Sequence, residues 1–349
     1  MPPRVSAVLD SSHMGSLYRF AAAALVVAGA VASLAGQEQG GVSFKSGVEL
    51  INVTATVTDG EGRFVSGLGK DDFVVYEDGQ PQEITHFSNE RVPVSLGIAL
   101  DASGSMTSDK MSAARAAIDR FVYDLLSPDD ELFFMQFANR PQLVQEWTID
   151  RRAISRAVTR VLPAGGTALY DAIADGVPLA NIGRHPKKAL LAISDGNDTS
   201  SRISVGELRS VIRESEVLVY ALGVDGTATQ MQSGPTIQLP MPLPFPIPGG
   251  RGRRPLPPFG GGSRRRTQTE RVNASALRQI TDDTGGRTEI IRGFRDLDGA
   301  TARLADELSK QYYLGYASPG KKDGRWHDIR VEVRDHRLAV RARRGYIAS

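Results

Sequence analysis

Between residues 94 and 224, short apolar strands alternate with segments of helical period, and this alternation constrains the fold more than anything else in the chain. Residues 94–100, 132–137, 188–193 and 217–224 have the apolar continuity of strands buried on both faces. Between the first two, residues 110–126 place Met111, Ala114, Ala117, Ile118, Phe121, Val122 and Leu125 on one helical face until Ser127-Pro128 stops the helix. Shorter helices are predicted over 151–161, 168–181 and 205–215. Strand and helix repeated in this way build an α/β fold, a doubly wound and mostly parallel sheet covered by helices. The pattern breaks at a proline-, glycine- and arginine-rich tract containing PMPLPFPIPGG and GGGSRRR, then resumes with helices over 274–281 and 296–310 around a strand at 288–291. The tract reads as an extended insertion at 226–270 within one α/β unit spanning 92–310.

Both flanks read as β structure. Apolar residues fall at every second position through Ile51, Val53, Ala55 and Val57, and a turn at Glu77-Asp78-Gly79-Gln80-Pro81 separates strands at 73–76 and 83–87. At the other end, strands are predicted over 312–316, 328–333 and 337–341, the last two joined by a tight turn at Arg334-Asp335-His336. Neither flank buries both of its faces alone. The N-terminal unit, 41–91, and the C-terminal strands, 311–349, are therefore expected to pack as one small β-sandwich around an inserted α/β domain. A chain of 349 residues that is 41% hydrophobic is long enough for about two such domains.

The first strand of the α/β unit ends in IALDASGSM, which sets Asp101, Ser103 and Ser105 in the loop before the first helix. In an open parallel sheet ligands bind beyond the carboxyl ends of the strands. Two further loops reach that edge: Gly165-Gly166-Thr167 precedes the helix at 168, and Ser194-Asp195-Gly196 follows the strand at 188–193. Asp101, Ser103, Ser105, Thr167 and Asp195 thus offer two carboxylates and three hydroxyls. An all-oxygen set suits a hard divalent cation, magnesium first and manganese or calcium next, and not zinc or copper, which prefer imidazole or thiolate. Magnesium takes six ligands, so these five groups leave a position open for a partner. Asp101, Ser103 and Ser105 taken alone read equally as the polar cap of the following helix. The chain has no cysteine, and its five histidines are scattered without HExxH spacing. On the sequence, no histidine, lysine or third carboxylate stands near the motif as a general acid or base.

DASGS at 101–105, GGTALYDAI at 165–173 and LLAISDGNDTS at 190–200 resemble the metal-ion-dependent adhesion site of von Willebrand factor type A domains, a likeness covering about residues 92–310. The resemblance implies a Rossmann-like fold in which Ser103, Ser105 and Thr167 touch the cation while Asp101 and Asp195 act through water or hold the hydroxyls. It also suggests Asp109 for a second cation, although charge complementarity at a helix N-terminus explains that residue as well. The flanks, VTDGEGRFVSGLGKDDFVVYEDGQPQEITHF with YYLGY and VRARRGY, resemble bacterial VWFA-related proteins abundant in Acidobacteria, an exported family. The expected function is a binding module whose magnesium captures a carboxylate of a protein partner. One alternative is a phosphoester hydrolase in which Asp101 and the cation activate water, although DASGS lacks the second aspartate that phosphoaspartate hydrolases use. Another is an envelope scaffold with a purely stabilising metal.

Arg4 and Arg19 precede a small, apolar run at 20–35 that ends in Ser33-Leu34-Ala35, the pattern of a cleavable signal peptide over 1–36. The run falls short of the roughly 20 residues that span a bilayer, which weighs against an uncleaved anchor. Export to the periplasm, envelope or exterior is the expectation. The net charge of +2 from 42 basic and 40 acidic residues argues for no nucleic-acid partner, and the arginines at 251–266 lack interleaved aromatics to stack bases.

Overall fold

The structure, a computed structural model, describes residues 49–224, 273–318 and 323–348; the N-terminal apolar run and the proline-rich tract lie outside them. Strands β1 (Glu49–Thr58), β2 (Phe73–Glu77), β3 (Gln80–Gln82) and β4 (Ile84–Ser88) lead into β5 (Val94–Asp101). Then follow α1 (Ser108–Arg120), β6 (Glu131–Phe137), β7 (Pro141–Thr148), α2 (Arg151–Thr159), α3 (Leu169–Asn181), β8 (Lys187–Ser194), α4 (Val205–Arg213) and β9 (Leu218–Val224). Past the tract come α5 (Ala274–Thr284), β10 (Thr288–Ile291), α6 (Leu297–Lys310), β11 (Tyr312–Ser318), β12 (Trp326–Val333), β13 (Ala339–Arg341) and β14 (Gly345–Ile347).

The six-stranded sheet has the order β10-β9-β8-β5-β6-β7 and is parallel except at β7, which pairs antiparallel with β6. Every residue of β5 is buried. Ile98 and Leu100 pack toward α1, α2 and α6 on one face, and Ala99 toward α3, α4 and α5 on the other. That two-sided burial is why the strand reads as unbroken apolar sequence. Strand β7 was not anticipated: Gln142, Gln145 and Glu146 dilute its pattern because an edge strand is half solvated and needs no clean alternation.

Gly97, in the middle of β5, is set by packing. A Cβ there would lie 2.2 Å from Phe133 and 2.9 Å from Leu190, both buried. Gly97→Ala is expected to cost about 1–3 kcal/mol through overpacking, read as a lowered thermal midpoint. An unchanged midpoint would show that the ring of Phe133 has room to move.

The flanking segments build two four-stranded sheets, β13-β1-β11-β4 and β14-β12-β2-β3, each drawing strands from both ends of the sequence. β1 pairs antiparallel with β11 from Glu49↔Ser318 to Ala55↔Tyr312, and β2 pairs with β12 from Glu77↔Ile329 to Phe73↔Val333. Ile51, Val53, Val75, Ile84, Leu314 and Tyr316 share the core between these sheets. The two expected turns are present, and the structure adds which strands they pair. The turn after β2 joins it only to the short β3, while β4 belongs to the other sheet. After the turn that follows β12, the chain changes sheets: β12 pairs with β14 and β2, and β13 pairs with β1 across the sandwich. Local turn chemistry signals a reversal but not which sheet receives the next strand. No helix among the described residues is long and apolar enough to cross a membrane.

A buried polar cluster ties the α/β sheet to the sandwich. Glu307 of α6, fully buried, accepts hydrogen bonds from Tyr220 Oη of β9 at 3.0 Å and Thr56 Oγ1 of β1 at 3.3 Å. It pairs with Arg341 of β13, and Arg287 Nε lies 3.3 Å from its second oxygen. Gln311 closes the ring by donating to Tyr220 and Thr56.

Candidate functional site

Sheet order places the crevice. β5 is flanked by β6 on one side and β8 on the other; α1 leaves β5 toward one face, and α4 follows β8 on the opposite face. Connections that diverge this way leave a cleft at the strand carboxyl ends, where Asp101 and Asp195 stand.

Within the cleft four of the five predicted residues, Asp101, Ser103, Ser105 and Asp195, form a hydrogen-bonded chain. Asp101, buried at the end of β5, accepts from the Ser103 amide at 2.8 Å and from Ser194 Oγ at 2.5 Å. Ser103 Oγ and Ser105 Oγ are 2.8 Å apart, and Ser105 Oγ donates to Asp195 Oδ1 at 2.7 Å. Asp101, Ser103 and Asp195 are buried and Ser105 partly so. Thr167 arrives on the third loop, its hydroxyl 3.7 Å from where a Cβ on Gly196 would stand. That loop is held by backbone: Gly104 N donates to Gly165 O at 2.9 Å, and Gly166 N to Asn139 Oδ1 at 2.7 Å. Gly165 takes φ +82°, a conformation open to glycine, and a side chain there would strike Asn139. The helix-capping alternative is not what these residues do. The N-cap of α1 is Thr107, without a side-chain bond to the helix, while Asp101 and Ser103 point into the cleft chain.

One group was missed. Lys110, in the first turn of α1, pairs its ammonium with Asp195 Oδ2 and donates to the Ser105 carbonyl at 3.0 Å. This corrects the expectation that no lysine stands near the motif. Its signal was its place five residues past Ser105, where the first turn of a helix folds back over the loop that precedes it. Asp109, the residue suggested for a second cation, stands apart. Asp109 is exposed in that same turn, and Asp198 accepts from the Tyr170 amide and from Ser201 Oγ, a loop-fastening role. Asp171, also buried, accepts from the Arg202 and Ile203 amides and anchors the same loop to α3.

The electrostatics follow from two buried carboxylates in one cleft against one ammonium. Burial pushes the Asp101 carboxyl up to about 6, with the nearby Asp195 charge adding to the shift and hydrogen bonds from Ser194 and Ser103 opposing it. The cleft therefore carries an excess of negative charge over the cation present in it. A second acidic group lies in the sandwich, where Glu77, Asp78 and His327 approach one another. Its histidine is engaged from within, Nδ1 lying 2.8 Å from Asp78 and Nε2 3.3 Å from Asp323, while Glu77 accepts from Ser318 through Oε1.

Residues 96–197 match the family model of the von Willebrand factor type A domain. The chain is 28% identical over 139 residues to the uncharacterized protein sll0103 of Synechocystis sp., a match covering 39% of this chain and 33% of that protein. It thus spans about a third of the length of that curated relative. Among solved structures it is similar to a von Willebrand factor type A protein from Catenulispora acidiphila, at 14% identity over 87% of this chain and 74% of that one, with a TM-score of 0.46. It is also similar to conserved hypothetical protein BatB from Bacteroides thetaiotaomicron, at 21% identity over 62% of this chain and 98% of that one, TM-score 0.43. The vWF domain of the type V pili tip protein Mfa5 from Porphyromonas gingivalis aligns at 20% identity over 31% of this chain and 40% of that one, TM-score 0.29.

Proposed function

Because residues 96–197 are a von Willebrand factor type A segment, we propose that this chain is an exported interaction module that captures an acidic residue of a protein partner through a magnesium ion held by Asp101, Ser103, Ser105, Thr167 and Asp195. The observation that carries the reading is the donor set itself: two buried carboxylates and serine hydroxyls in one hydrogen-bonded chain, already engaging a positive charge. Such oxygens fit a hard cation, magnesium before manganese or calcium. The bound ion supplies an electrophilic open position for a carboxylate oxygen.

The chain's own residues do the rest. Ser103, Ser105 and Thr167 offer neutral oxygens, so little of the ion's charge is quenched by direct ligands. Asp195 fixes the hydroxyl of Ser105, and Asp101 fixes the loop through the Ser103 amide and holds Ser194. Both carboxylates thereby orient the donors, as partners of metal ligands generally do. Lys110, an ammonium with no lone pair, offers the hydrolase reading no general base.

Calorimetric titration with magnesium chloride tests the site. Wild type should bind, and Asp195→Ala should lose at least about tenfold in affinity. Capture of proteins from envelope extract should depend on magnesium, fail in EDTA and fail with Asp195→Ala. Capture unchanged by EDTA would overturn the reading, and magnesium-dependent turnover of p-nitrophenyl phosphate, abolished by Asp101→Ala, would establish the hydrolase instead.

A further inference from the structure

The Lys110 ammonium sits beside the Ser105–Asp195 pair, on the Ser105 backbone carbonyl and on the Asp195 oxygen that the Ser105 hydroxyl leaves free. It donates to the Ser105 carbonyl at 3.0 Å and pairs with Asp195, whose side chain is fully buried, while its own side chain is 30% exposed. Its stem enters from the first turn of α1, on the solvent side of the cleft. A second berth is within reach, since the ammonium also sits 6.0 Å from the centre of the Phe294 ring, in the turn before α6.

Counting charge shows what the lysine does. Asp101 and Asp195 bring two negative charges, and Lys110 neutralises one. A divalent ion would neutralise both, but an ion and the ammonium together would place three positive charges against two negative ones within a few ångströms. In a buried site that repulsion is poorly screened. The ammonium also holds Asp195 through Oδ2 while Oδ1 takes the Ser105 hydroxyl, so lysine and ion draw on the same carboxylate.

From this geometry, and resting on the metal reading above, we infer that Lys110 is a built-in counter-cation: it holds the Ser105–Asp195 pair together in the metal-free protein and must leave Asp195 for the divalent ion to bind. Lys110 then sets the metal affinity, because binding is an exchange of one cation for another. With Lys110 present, the loops stay assembled without metal, so the site does not have to refold at each binding event. The displaced ammonium swings to solvent and the Phe294 face, beside the mouth where a partner carboxylate would approach.

Two measurements test the exchange. In the first, calorimetric titration with magnesium chloride compares wild type with Lys110→Met, which keeps most of the stem and removes the charge. The variant should bind magnesium about tenfold or more tightly, and its metal-free thermal midpoint should fall because Asp195 loses its partner. In the second, wild type alone is pulsed with an amine-acylating reagent and the Lys110 peptide is followed by mass spectrometry. Magnesium should raise the acylation rate of Lys110 several-fold without changing that of surface lysines. Equal or weaker magnesium binding by Lys110→Met, or an unchanged Lys110 acylation rate while magnesium binds wild type, overturns the exchange and leaves the metal reading standing. Failure of both wild type and Lys110→Met to bind magnesium overturns the metal reading, and the exchange with it. If Lys110→Met does not fold, the acylation measurement decides the question unaided.

Discussion

Glu307→Ala lowers the stability of the folded chain by about 3–5 kcal/mol, the range for breaking a buried ion pair from one side. Glu307 is fully buried, and its removal leaves Arg341 and Arg287, each about two-thirds buried or more, without the carboxylate they share. It also strips the hydroxyls of Tyr220 and Thr56 of their acceptor. Three structural pieces meet at this side chain: α6, the β9 edge of the α/β sheet, and the sandwich strands β1 and β13. Urea unfolding followed by circular dichroism reads the loss. Glu307→Gln, which keeps an acceptor but not the charge, should fall between wild type and the alanine variant. A loss below about 1 kcal/mol for Glu307→Ala would mean that the two arginines find other partners and that the cluster does not bind the two parts together.

Asp101→Asn is expected to change the sign of its effect with magnesium. In the metal-free protein at pH 7 the wild-type carboxylate is ionised while buried, and its folded-state value of about 6 stands above the unfolded 3.8. An acid raised on folding costs stability above its folded value, and the cost is relieved as pH falls from about 6 toward 4, where the folded state holds the proton that the unfolded state has released. The cost at pH 7 is therefore about 3 kcal/mol at most. Asparagine keeps an acceptor for the Ser103 amide and carries no charge, so the metal-free variant should be the more stable at pH 7 by about 1–3 kcal/mol. The stability difference between variant and wild type should shrink toward pH 4. With magnesium at about a hundred times its dissociation constant, wild type gains about 2.7 kcal/mol and the variant gains little, which reverses or closes the gap. Thermal melts at two pH values, with EDTA and with magnesium, measure all four corners. A variant less stable than wild type in EDTA at pH 7 would show that the Asp101 charge is fully compensated in the cleft.

The central sheet was legible because it is buried on both faces. Strands such as β5 and β8 have to be apolar through their middles, 96–100 and 189–193, and α1 has to repeat Met111, Ala114 and Ile118 at helical spacing to cover them. The site positions were legible for a related reason: polar residues that follow an apolar strand stand at the strand's carboxyl end, wherever that strand lies in the sheet. β7 was hidden because an edge strand is under no such demand. The two flank turns left the pairing unread because a turn sets the direction of the chain and not the sheet it joins.

Lys110 and Glu307 mark the limit of linear reading. A lysine in a helix and a glutamate on an amphipathic face are, one by one, ordinary solvated residues. Only the fold brings Lys110 onto Asp195, 85 positions away, and Glu307 onto Thr56, 251 positions away. What this sequence determined by itself is what periodic burial enforces: the doubly wound sheet, the β character of both ends, and the three loops that carry the oxygens. What only the tertiary structure decided is which charge neutralises which, because ion pairing depends on distance in space, and no local pattern records which side chains folding will bring within reach.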